Sequence, residues 1–154
     1  MRLDRAWIER SIPHDGRMCL LDEVIEWDAR HVRCRSGTHR SPDHPLRSRG
    51  RLGIACGIEY AAQAMAVHGA LAGGAPEARP ESGFLASLRD VRLHVLRLDD
   101  IESDLYCEAA LIAGDGSSAL YEFALSCDVQ RLDSKRLLSG RATVIFDAKK
   151  RLDL

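Results

Sequence analysis

Apolar and polar residues follow two different rhythms along this chain. From His31 to Thr38, Val32 and Cys34 fall on one face and Arg33 and Arg35 on the other, the period of two that marks a half-exposed strand. Met18 to Trp27 is apolar enough for a preceding strand, with a turn at Asp28-Ala29-Arg30. Four more strands are expected over 83–97, 104–113, 118–129 and 139–147, and Gly114-Asp115-Gly116 gives a hairpin signal between the second and third of them. Residues 53–73 break the alternation. They are rich in Ala, lack proline and carry few charges, so they predict one long helix buried nearly all round, ended by Gly73-Gly74. Residues 39–51 hold Pro42, Pro45 and Gly50 and read as an irregular loop, and 75–82 read as a polar linker. Residues 1–12 form a short helix or a lead-in, and Pro13 to Gly16 a turn. Two strands, a buried helix and an antiparallel four-strand meander make an α+β fold, because a helix apolar on all sides needs a curved sheet to wrap it.

The 154 residues suit a single domain. With 45% hydrophobic and 29% charged residues the chain is globular, and 22 basic against 23 acidic residues argue against a nucleic-acid binder. Apolar stretches fall far short of the roughly 18 residues of a membrane span, and no leader segment is expected. A cytoplasmic protein is expected, with Cys19, Cys34, Cys56, Cys107 and Cys127 as reduced, mostly buried thiols.

Glu59 is the most informative residue. It is the sole acid between Asp43 and Glu77 and sits on the apolar helix, where desolvation would raise its pKa and fit it for a general acid. Gln63 lies one turn on and could orient that carboxylate, a substrate amide or buried backbone. The loop ahead of the helix carries His39 and His44, either of which could serve as a base; their spacing makes a poor zinc site. Between Arg30 and Arg51 seven arginines face one acid, Asp43. This could be a basic rim for a phosphate or an acidic carrier, or it could be neutralised by Asp99, Asp100, Glu102 and Asp104. His14 is expected to be structural, and His31, His68 and His94 packing or surface residues.

Three segments, in order, resemble the hotdog-fold 3-hydroxyacyl-acyl-carrier-protein dehydratases: Ile12-Pro13-His14-Asp15-Gly16-Arg17-Met18-Cys19-Leu20-Leu21-Asp22, Glu59-Tyr60-Ala61-Ala62-Gln63-Ala64, and Gly83-Phe84-Leu85-Ala86-Ser87-Leu88-Arg89-Asp90-Val91-Arg92-Leu93. The wording around 52–70 and 83–98 is closer still to the dehydratase-like proteins of aryl polyene pigment clusters. The resemblance covers about residues 10–147 of a single hotdog domain, 1–154. It implies a sheet wrapped on one helix, a homodimer or a heterodimer with another hotdog chain, and an acyl-carrier-protein partner. It implies no metal or redox cofactor, only a substrate carried on phosphopantetheine. The catalytic pair would be a loop His and a helix Glu from opposite protomers, here His39, in Thr38-His39-Arg40, and Glu59. Amides near Cys56 or Gly57 would hold the thioester oxygen, Gln63 and His44 would line the site, and Arg40 and Arg47 would meet the carrier. The family's loop motif is otherwise changed, reading Ser41-Pro42-Asp43-His44-Pro45 after Arg40, so His44 stays a rival to His39. A thioesterase, or a non-catalytic subunit of a heterodimer, are the alternatives.

Overall fold

The computed structural model describes residues 3–12, 16–73, 83–130 and 133–146. His14 and the 75–82 linker therefore lie outside the described residues. Seven strands form one antiparallel sheet: β1 Leu3–Asp4, β2 Glu23–Trp27, β3 His31–Ser36, β4 Gly83–Leu93, β5 Leu105–Gly114, β6 Ser118–Gln130 and β7 Asp133–Phe146. Their order is β1-β2-β3-β5-β6-β7-β4. Helix α1 spans Arg5–Ser11, and its N-cap Asp4 accepts the Trp7 N–H at 2.9 Å. Helix α2 spans Gly57–Ala72 and follows directly on a 3₁₀ turn, Ile54–Cys56.

The period of two sorts the sheet. Val32, Cys34, Leu105, Cys107, Ala109, Tyr121, Phe123 and Leu125 are buried beneath α2, while Arg33, Glu108 and Glu122 point the other way. From α2, Tyr60, Ala61, Ala64, Met65 and Val67 fill the core. Gly57 is the closest approach: a Cβ there would meet Leu138 Cδ2 at 2.3 Å and Leu125 Cδ2 at 3.0 Å, so only glycine lets the helix start rest on β6 and β7. The opposite side of α2 is more open, with Glu59, Ala62, Ala66 and Ala70 half-buried.

Two expectations change. The first strand is shorter than 18–27, because Cys19, Leu20 and Leu21 are buried in succession rather than alternately and run as an extended segment into β2. The four-strand meander is a three-strand one, β5-β6-β7, and β4 lies at the far edge against β7. The β4–β5 connection is held away from the meander by the lead-in to α2. Ile54 N–H donates to Leu96 O at 3.1 Å, Leu98 N–H to Leu52 O at 2.7 Å, and Leu52 N–H to Asp99 Oδ1 at 2.9 Å. As an edge strand β4 exposes Leu85, Leu88 and Leu93. The hairpin at Gly114-Asp115-Gly116 forms, with Asp115 Oδ1 accepting the Ser117 and Ser118 N–H groups at 2.7 and 2.9 Å.

Candidate active site

The end of β3 leads through Gly37 into a 3₁₀ turn, Thr38–Arg40, that carries His39 into the interior. His39 is fully buried. Its Nε2 lies 2.9 Å from the Ile101 carbonyl, which can only accept, so Nε2 carries the proton. Nδ1 is buried and has no hydrogen-bond partner among the described residues. Burial, helped by the Arg40 charge, pulls the imidazole below the usual histidine pKa, against smaller opposing pulls from the Ile101 and Ser103 backbone and from Asp104. The ring is thus neutral near pH 7, of fixed tautomer, with an unused lone pair on Nδ1.

His44, its rival, is placed differently. Its Nδ1 accepts the Leu46 N–H at 3.1 Å, which puts the proton on Nε2, and Nε2 donates to Tyr60 Oη at 2.9 Å. Both ring nitrogens are engaged. Burial and the neighbouring Arg47 charge lower its pKa. Taking up a proton at Nδ1 would break the Leu46 bond, so His44 has no free base position in this chain.

Glu59 is half-buried in the first turn of α2, less enclosed than an all-round buried helix implied. Gln63 is fully buried. Its Oε1 accepts the Leu20 N–H at 2.8 Å, and its Nε2 donates to Met18 O at 2.7 Å and Glu59 Oε1 at 3.2 Å. The amide therefore ties the 18–20 segment to the helix and orients the carboxylate, and keeps no group for a substrate. The Cys56 N–H donates to Gly53 O at 3.0 Å and the Gly57 N–H to Ile54 O, within the 3₁₀ turn. Those two amides are not free to hold a thioester oxygen, and Gly57 serves packing instead.

Arg40 and Arg47 also have partners inside the chain. Arg40 donates to Glu102 O at 2.8 Å and to Asp104 Oδ1 at 2.6 Å, and Arg35 reaches Asp104 Oδ2 at 3.1 Å. The paired arginines hold the Asp104 carboxyl below the usual range, although burial opposes them. Arg47 donates to the carbonyls of Ser41 (2.8 Å), Gly50 (3.0 Å) and His39 itself (3.2 Å). In place of an anion-facing rim, these two residues brace the His39 turn. Arg33 pairs with Glu108 at 3.0 Å. Arg49 and Arg51 stay exposed, on a two-residue turn closed by Ser48 N–H to Arg51 O (2.9 Å) and Arg51 N–H to Ser48 O (3.0 Å).

Of the other histidines, His68 is buried on α2, accepting from Tyr121 Oη at 2.8 Å and donating to Asp28 O at 3.2 Å, a packing role as expected. Four of the five free thiols are buried, and burial raises Cys34 to about 12. A cleft of about 320 Å³ crosses the outer sheet face between His31, Asp90, Glu108, Glu122 and Arg136; none of the expected site residues lines it. No helix among the described residues is long and apolar enough to cross a membrane.

A sheet wrapped on one helix, a loop histidine with an open nitrogen and a helix carboxylate are on hand. The family model described as ApeP-like, ApeP dehydratase, matches residues 6–151. The chain belongs to the ApeP-like dehydratase family. It is accordingly a dehydratase, a lyase, with the hotdog fold. A search of curated proteins gave no significant match. Among solved structures it is similar to the dehydratase heterocomplex ApeI:P from Xenorhabdus doucetiae, at 28% identity and TM-score 0.78, over 94% of this chain and 93% of that one. It is similar in fold to zebrafish thioesterase superfamily member 2 (15% identity, TM-score 0.59, 94% and 99% covered) and to the E. coli PaaI protein (11%, 0.57, 79% and 80%).

Sequence reasoning singled out neither Tyr60 nor Thr38. Tyr60 follows Glu59 directly, on a helix otherwise built of small and aliphatic residues. A buried phenol there needs a hydrogen-bond partner, and that was the available signal.

Proposed function

We propose that this ApeP-like dehydratase removes water from a 3-hydroxyacyl thioester held on an acyl carrier protein, with His39 as base and Glu59 as acid, each facing its counterpart on the opposite protomer of a hotdog dimer. The observation that carries it is the buried, unpartnered Nδ1 of His39, on a ring whose other nitrogen is pinned to Ile101. A neutral imidazole fixed by a backbone carbonyl is a base with one open position. The thioester acidifies the α-carbon. His39 Nδ1 takes the α-proton, the electron pair moves to form the Cα–Cβ double bond, and the Cβ–O bond breaks. Glu59 gives its proton to the departing hydroxyl, which leaves as water. The imidazolium proton then returns to the Glu59 carboxylate, directly or through that water, and both groups are restored.

The half-open setting of Glu59, beside Ala62, Ala66 and Ala70, suits cover by a second hotdog chain. The free edge of β4 with its exposed leucines suits pairing with that chain's sheet. The match to a heterocomplex supports a partner of the same fold. Cover by partner and substrate takes the Glu59 carboxyl out of water, which favours the proton-bearing form. With Arg40 and Arg47 braced internally, Arg49 and Arg51 are the loop arginines left to meet an acidic carrier.

The test follows a 3-hydroxyacyl carrier-protein thioester by intact mass, with the chain alone and with a hotdog partner. Loss of one water supports dehydration, and dependence on the second chain assigns a shared site. Release of unloaded carrier identifies a thioesterase and overturns the proposal.

A further inference from the structure

The turn that carries His39 is held by a hydrogen-bond chain that runs from His44 to Thr38. The Leu46 N–H occupies His44 Nδ1, so His44 donates through Nε2 to Tyr60 Oη at 2.9 Å. Tyr60 Oη lies 2.8 Å from Thr38 Oγ1, and Thr38 Oγ1 donates to the Leu20 carbonyl at 2.8 Å. Because Tyr60 Oη accepts from His44, its own proton goes to Thr38 Oγ1, which also lies 2.9 Å from Ser36 Oγ. Ser36 Oγ donates to the same carbonyl and accepts the Thr38 N–H at 3.2 Å. Every proton in the chain His44, Tyr60, Thr38, Leu20 therefore points one way, and Thr38 is the residue before His39.

The chain also ties the turn to the helix that carries Glu59. Tyr60 is the neighbour of Glu59 on α2, and Leu20, where the chain ends, gives its N–H to Gln63, which bonds Glu59. His44 and Tyr60 additionally stack, with ring centroids 6.0 Å apart. Burial raises the Tyr60 phenol well above its ordinary value and lowers His44, so both stay neutral across the working pH range.

We propose that His44, Tyr60 and Thr38 form a positioning relay that fixes the His39 turn against helix α2, and that His44 is a positioning residue rather than a base. This rests on the assignment of His39 as the base. Three variants separate the roles. Tyr60→Phe removes the link. His44→Gln keeps a donor near the Nε2 position, whereas His44→Ala removes it. Each is assayed for dehydration of a 3-hydroxyacyl carrier-protein thioester, together with its hotdog partner if one is required. Alongside, side-chain ¹⁵N spectra of histidine-labelled protein report the His39 tautomer without any turnover.

Tyr60→Phe and His44→Ala are expected to lower kcat about tenfold with KM within about twofold, and His44→Gln to recover most of the loss. In the spectra, His39 is expected to be a single Nε2–H tautomer in the wild type and a mixture in Tyr60→Phe. A His44→Gln protein as inactive as His39→Ala would make His44 the base and overturn the proposal. A Tyr60→Phe protein with wild-type kcat and an unchanged His39 tautomer, whatever its melting temperature, would also overturn it. If His39→Ala keeps full activity while the tautomer still responds to Tyr60→Phe, the relay stands and the assignment of the base fails.

Discussion

Helix α2 carries a buried histidine–tyrosine contact toward each end, and the two differ in one atom. Toward the C-terminal end, Tyr121 Oη donates to His68 Nδ1 and His68 Nε2 donates to Asp28 O, so the ring is fully used. Toward the N-terminal end, His44 is used as completely by Leu46 and Tyr60, but His39 beside it keeps Nδ1 empty. All three rings are buried and all three are pulled below the ordinary histidine pKa by that burial. Burial and pKa direction therefore do not separate a structural histidine from a reactive one. The count of hydrogen bonds does: of the three rings, His39 is the one with a nitrogen that has no partner among the described residues, which leaves about 1–3 kcal/mol of bonding unmade, and the proposed mechanism uses that lone pair.

The contrast can be broken from either end of the helix. The largest effect is expected for Glu59→Gln, which removes the proposed proton donor while keeping an acceptor for Gln63: dehydration per folded molecule should fall by about 10²–10⁴-fold, measured by single-turnover mass analysis. His68→Leu should do the reverse. It leaves Tyr121 Oη and the Asp28 carbonyl without a ring partner, costing about 1–3 kcal/mol in denaturant unfolding, while the rate per folded molecule stays within about twofold. If His68→Leu were the inactive variant and Glu59→Gln the merely unstable one, the two ends of the helix would have been assigned the wrong way round.

The acid side of the stability curve gives the smallest effect and sharpens the comparison. Folded His39, His44 and His68 titrate below the ordinary value near 6.5, whereas the unfolded chain titrates there. Above about pH 6.5 neither state binds these protons, and stability is at its plateau. Below it the unfolded chain takes up protons that the folded chain refuses, so stability falls as pH drops through that window. The paired carboxylates Asp99 and Asp104, whose folded values are depressed, add a second loss only near and below their own ordinary range. Chemical-denaturation midpoints between pH 8 and 5 check the sign; a midpoint that rises on acidification would contradict it. Activity should follow His39 and persist to lower pH than an exposed histidine would allow.

Much of this was legible in the sequence. The alternation in β3, β5 and β6, the alanine-rich run of α2 and the Asp115 turn are local patterns, and local patterns survive without knowledge of the fold. His39 and Glu59 stood out because a histidine in a loop and a carboxylate on an apolar helix are locally anomalous. What failed to show was long-range. The place of β4 depends on bonds from 96–99 to 52–54. For Arg40 an anion and the acids at 99–104 were both open, and only the fold selects Asp104, 64 residues later; for Gln63 a substrate and buried backbone were both open, and only the fold selects Met18, 45 residues earlier. Gly57 looked like an amide donor when its missing Cβ makes room for Leu138. In each case the residue type was read correctly as polar or small, and choosing among its candidate partners needed contacts distant in sequence.

The central claim is that the open nitrogen of His39 is the base, and the direct measurement is the dehydration rate of His39→Ala beside wild type on a 3-hydroxyacyl carrier-protein thioester. A loss of about 10²–10⁴-fold in kcat/KM per folded molecule is expected, with a lower melting temperature because the Ile101 carbonyl loses its donor and the buried ring leaves a cavity. Wild-type turnover by His39→Ala would contradict the claim.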